Sequence, residues 1–78
     1  MDGLKQVFVE ELGIDESYFA EDLSYNSIPE WDSASHMVII VALEQKYNVA
    51  FDSDEVVAAT SVAKLRAILG AKGVLVEP

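Results

Sequence analysis

Apolar residues recur at helical spacing in three stretches of the chain, and turn-forming residues fill most of the gaps between them. Leu4, Val7, Phe8 and Leu12 lie on one side of a helix spanning about 2–12, and Gly13 supplies a stop. A second helix begins at Asp32, whose carboxylate can accept an orphan backbone N–H of the first turn, and runs to about Tyr47, with Asn48 as terminator. Asp52 followed by Glu55 reads as a capping box in front of Val56-Val57-Ala58-Ala59, a short third helix. The last helix begins near Thr60 or Ser61, presents Val62, Leu65, Ile68 and Leu69 on one side, and ends at Gly70 or Gly73. The tail 73–78 is expected to fray. Between the first two helices, residues 13–32 have no sustained period but include Ile14, Tyr18, Phe19, Leu23, Tyr25, Ile28 and Trp31. A connection of that length inside a compact domain is usually functional, and its apolar residues imply that it packs down. The pattern predicts one all-α domain over 1–78 with a core of about 2–72. Its architecture is a small four-helix bundle: three longer helices, one short one, and a long loop between helices one and two.

The second helix carries two apolar faces. His36, Ile39, Ile40, Leu43 and Tyr47 fall within one arc of about 100°, the expected core side. Ala34, Val38, Val41 and Gln45 lie opposite, where a surface helix would normally place charges. Isolated exposed valines are common and need no explanation. A stripe of them with Glu30, Asp32 and Glu44 around it also suits an apolar-centred contact edged by electrostatics.

Charge narrows the partners. Fourteen acids against five bases give a net charge of −9, and between Lys5 and Lys46 there are nine acids and no base. Such a field repels phosphate backbones and anionic lipid, which argues against direct nucleic-acid or membrane binding. It would steer a basic protein surface, or it serves solubility alone. Without cysteine the chain has neither a disulfide nor a thiolate metal site, so its 78 residues must fold on packing alone. The longest apolar run, Met37–Leu43, falls far short of the ~20 residues that cross a bilayer, and the first residues lack the pattern of a secretory signal. A monomer in the cytoplasm is expected.

Chemistry could reside in few places. Ser33 and His36 are three apart on one helix and could meet, but a triad also needs an orienting group, an oxyanion hole and a pocket, which a bundle this small rarely supplies. Packing or capping is the plainer role for His36. Asp52, Asp54 and Glu55 lack the glycine turn and ligand spacing of a calcium loop, and helix capping accounts for them better. No catalytic residue and no metal ligand is assigned.

The segment Trp31-Asp32-Ser33-Ala34-Ser35-His36-Met37, continuing to Leu43-Glu44-Gln45-Lys46-Tyr47, resembles acyl carrier proteins and the related peptidyl carriers. Their signature is Asp-Ser-Leu at the start of helix two, then apolar positions leading to a Leu-Glu-x-x-Phe-like end. Asp32 and Ser33 match its first two positions, and Ile39, Ile40, Leu43, Glu44 and Tyr47 match the helix. Phe51 and the short acidic helix, then Ser61-Val62 with Leu65 and Ile68, match the third and fourth, so the likeness spans roughly 2–70.

The resemblance implies that a phosphopantetheinyl transferase attaches 4′-phosphopantetheine from coenzyme A to Ser33, where the dipole and free N–H groups of a helix start favour a phosphodiester. It implies that the arm holds an acyl or aminoacyl group as a thioester for loading and acyl-using enzymes with basic surfaces, the chain itself being no enzyme. Asp32 would cap the helix and aid the transferase. Ala34, Met37, Val38 and Val41, with Glu30 and Glu44, would meet partners. Two departures stand out: Ala34 replaces the usual leucine, and Val38 stands where an acid is common. The Trp-Asp-Ser-x-x-His variant looks more like free-standing carriers of polyketide, non-ribosomal peptide or surface-polysaccharide pathways than a carrier of general fatty-acid synthesis. A carrier fold that binds partners without the arm is the alternative.

Overall fold

The computed structural model describes residues 3–74, and within them the chain forms four α-helices and one 3₁₀ turn. Helix α1 is Gly3–Leu12, α2 is Ser33–Tyr47, α3 is Ser53–Ala58 and α4 is Val62–Ala71. The all-α bundle of three longer helices and one short one is therefore as the apolar pattern predicts.

The caps act locally, as side chains near each helix start allow. Asp32 takes the Ser35 N–H at 2.9 Å, and Asn48 closes α2 in the left-handed conformation with φ 55°. Asp52 and Glu55 form the reciprocal box at 2.8 and 2.9 Å. The Ser61 hydroxyl accepts the Lys64 N–H at 3.1 Å, which settles Ser61 rather than Thr60 as the cap of α4. At the other end α4 passes through Gly70 to Ala71 with Lys72 as its cap, and Gly73 follows at a φ of +82° that a side chain would strain. Val74 then returns its N–H to Leu69 O at 3.0 Å and packs against the core. The N–H groups of Gly73 and Val74 thus satisfy carbonyls that α4 leaves open. The rest of the expected tail, 75–78, and the first helix's expected start at Asp2 lie outside the described residues.

The helices close on one core. Leu4, Val7 and Phe8 of α1 meet Ile39, Ile40 and Leu43 of α2, with Val62, Leu65 and Leu69 of α4 completing it. Each such fully buried aliphatic or aromatic side chain contributes roughly 1.5–3 kcal/mol. Helices α1 and α2 run antiparallel: Gly3 leaves room for the Tyr47 hydroxyl at one end, while Phe8 meets Trp31 edge-on at 4.8 Å toward the other.

The long connection packs down as expected. Ile14, Leu23 and Trp31 are buried and Phe19 and Ile28 half-buried, although Tyr18 and Tyr25 keep much of their surface in water. The absence of period in the sequence conceals two features. Asp15 caps a 3₁₀ turn over Glu16–Tyr18, and the Leu23–Tyr25 stretch bonds to Thr60 and Val62 around an isolated antiparallel bridge between Ser24 and Ser61. These bonds join the connection to the start of α4. They also fix the approach to Trp31, whose N–H goes to Ile28 O at 3.2 Å and whose carbonyl receives the Asn26 N–H at 2.9 Å.

Candidate functional site

Trp31 is wholly buried, yet the next three residues, Asp32, Ser33 and Ala34, are exposed. The chain emerges from the core at the point where α2 begins, so its first residue, Ser33, faces solvent. Among the described residues no hydrogen bond engages the Ser33 hydroxyl. Ser35, the nearest competing hydroxyl, differs in both respects. It is half-buried and turned to Asp32, whose carboxyl is held below the usual aspartate range first by the Ser35 backbone N–H and then by the Ser35 hydroxyl. Asp32 is therefore a carboxylate at neutral pH, one residue from a free hydroxyl at the positive end of a helix.

His36 faces inward and is almost fully buried. Its Nδ1 receives the Trp31 indole N–H at 3.0 Å and its Nε2 lies 2.9 Å from the Val56 carbonyl oxygen. Both nitrogens are thus engaged away from Ser33, so His36 does not serve as its base. Asp52 and Glu55 are occupied by their capping box, and Glu55 also receives Lys72 Nζ at 2.7 Å.

The outer face of α2 is as apolar as its sequence. Met37, Val38 and Val41 are each close to half exposed. With Ala42, Gln45 and Glu11 they line an open groove of about 320 Å³ where α1 and α2 meet. Glu11 was not among the expected contact residues; only the antiparallel pairing of the two helices brings it there. Glu30 is exposed on the loop, three residues before Ser33, and does not line this groove. Glu44 is half-buried, and its Oε2 accepts the Phe51 N–H at 2.8 Å, so this carboxylate also ties down the α2–α3 connection.

The site is thus a solvent-facing serine at the capped start of the second helix of a four-helix fold. The chain belongs to the phosphopantetheine-binding family: the family model described as "Phosphopantetheine attachment site" matches residues 2–69. No curated protein matches the chain. Membership makes covalently attached 4′-phosphopantetheine the prosthetic group, and phosphopantetheinyl transferase and other enzymes the partners of such domains. Domains of this family are typically carriers rather than enzymes. The residues present fit the group, since among the described residues an exposed, unengaged hydroxyl stands at a helix start. Among the described residues no helix is long and apolar enough to cross a membrane.

Proposed function

We propose that the chain carries an acyl or aminoacyl group on a 4′-phosphopantetheine arm attached to Ser33. The observation that carries this reading is the contrast between Ser33, exposed and unengaged, and Ser35, half-buried against Asp32. Ser33 Oγ forms the new bond to the pantetheine-bearing phosphorus of coenzyme A. The bond from that phosphorus to the adenosine bisphosphate breaks, and the hydroxyl proton passes to the transferase. The dipole of α2, with whichever first-turn N–H groups the Asp32 cap leaves open, would then favour a phosphodiester anion there. Once attached, the arm supplies a thiol that can hold the cargo as a thioester, which a chain without cysteine lacks.

Asp32 has two parts in this proposal. It holds the first turn of α2 in place, and it offers a fixed negative charge to a basic transferase surface. The groove of Met37, Val38 and Val41 forms the partner-facing centre, with exposed Ala34 nearer Ser33 on the same helix and Glu30 and Glu44 as acidic surroundings. Its apolar middle favours dedicated partners of a specialised pathway, of polyketide, non-ribosomal peptide or surface-polysaccharide type, over the general fatty-acid enzymes. The protein is placed in the cytoplasm as a monomer, where coenzyme A and the transferase meet it.

Mass spectrometry after incubation with coenzyme A and a broad-specificity transferase tests the attachment. One phosphopantetheine per chain, mapped to the peptide holding Ser33, is the expected result. An unchanged mass, or an arm that survives Ser33→Ala, overturns it.

A further inference from the structure

Helix α3 buries no residue completely, and its Val57 is three-quarters exposed. A helix so weakly embedded depends on polar ties. At its C-terminal end the Glu55 carbonyl is taken by the Ala59 N–H at 3.0 Å and the Ala58 carbonyl by the Thr60 N–H at 2.8 Å. The Val56 carbonyl receives its bond from another helix, through His36 Nε2 of α2 at 2.9 Å.

The other nitrogen of the same ring settles which atom carries the proton. An indole N–H can only donate, so His36 Nδ1, 3.0 Å from Trp31 Nε1, must offer its lone pair. The hydrogen of the neutral ring is then on Nε2, directed at Val56 O. Trp31 is the residue immediately before the Asp32 cap, and its ring is wedged edge-on against Phe8. One imidazole therefore joins the corner from which Ser33 emerges to the C-terminal turn of α3.

We propose that His36 is a positioning residue: held as the Nε2–H tautomer, it keeps α3 in register with the Trp31-Asp32-Ser33 corner and so presets the surface that the transferase binds. The proposal rests on Ser33 as the attachment point. Loss of the link leaves α3 and the corner free to sample other relative positions, and a binding-competent state populated only part of the time raises the apparent dissociation constant by the inverse of its population. Once bound, the chain presents Ser33 as before, so the effect falls on KM rather than kcat.

The test combines NMR of the imidazole nitrogens with transferase kinetics on wild type, His36→Gln and His36→Phe, all at a temperature where each is folded by its amide spectrum. Wild type is expected to show Nδ1 as the unprotonated nitrogen. His36→Phe fills the space but strands an indole N–H and a carbonyl, and should raise KM for the carrier roughly five- to tenfold with kcat within about twofold. His36→Gln offers one donor and one acceptor and should recover most of that loss. If His36→Phe does not fold, Trp31→Phe, which removes the donor to Nδ1 together with part of a buried ring, is expected to raise KM at least as much in the folded variant. A protonated Nδ1 overturns the proposal, as does wild-type KM in a folded His36→Phe or Trp31→Phe variant. A wild-type chain that takes no arm overturns the attachment reading instead, and is told apart by that control.

Discussion

Ser35 gives its backbone N–H to the carboxylate of Asp32 at 2.9 Å, while Ser33, two residues earlier, keeps its hydroxyl in solvent. The two serines are close in sequence and unequal in chemistry. Ser33→Ala should abolish arm attachment, and Ser35→Ala should leave the yield unchanged. Intact-mass measurement of both variants after exhaustive treatment with transferase checks this, and an arm on Ser33→Ala would contradict it.

Asp32 combines a cap and a charge, which two substitutions separate. Asparagine is as good an N-cap as aspartate, so Asp32→Asn should keep the thermal midpoint close to wild type. Losing the charge should still lower kcat/KM for arm attachment about tenfold, through encounter and orientation. Asp32→Ala should lower both stability and attachment. Calorimetry and transferase kinetics on the pair decide whether the carboxylate matters beyond its hydrogen bond.

The groove on the outer face of α2 makes a different demand. Val38 and Val41 are close to half exposed, so Val38→Glu or Val41→Glu should change stability by no more than about 0.5 kcal/mol. A buried charge at an apolar contact is costly, and the transferase KM should rise about tenfold. Unchanged kinetics in both variants would remove the groove from the contact.

Acid should weaken the fold through its caps. Asp15, held low by the Ser17 N–H, Asp32, held low by the Ser35 N–H, and Glu55, held low chiefly by Lys72, all titrate below their ordinary range when folded. A carboxyl depressed on folding contributes stability that is complete above its unfolded value and disappears as pH falls through its folded value. Circular dichroism melts at about 0.15 M salt, where long-range repulsion is largely screened, should therefore hold steady near neutrality and fall below about pH 4. Asp32→Asn should lose less over that interval than wild type.

What could be read from sequence was what neighbouring residues decide. The caps at Asp32, Asn48, Asp52–Glu55 and Ser61 act across four residues or fewer, and the inward arc of α2 follows from helix geometry. The exposed serine that follows the Asp32 cap is likewise a local pattern, whereas its proposed role comes from the resemblance of the whole segment to carrier proteins. Ties between distant residues leave no such trace. The bridge from Ser24 to Ser61, the Glu11 side of the groove and the bond from His36 to Val56 depend on how the elements meet, and no periodicity encodes them. Glu44 shows the same limit, since its position on the wheel indicates a rim while its carboxylate has turned to the Phe51 N–H.

The shallow seating of α3 gives the domain two tiers of cooperativity. Helices α1, α2 and α4 share the buried core, whereas α3 adds only half-buried Val56 to it and is otherwise held by side-chain ties: Glu44 at Phe51, Lys72 at Glu55 and His36 at Val56. Segments secured in that way open locally at a free energy well below the global one. Hydrogen exchange is therefore expected to be faster in this six-residue helix than in the serine-bearing helix, through a change of shape that would not require the domain to unfold.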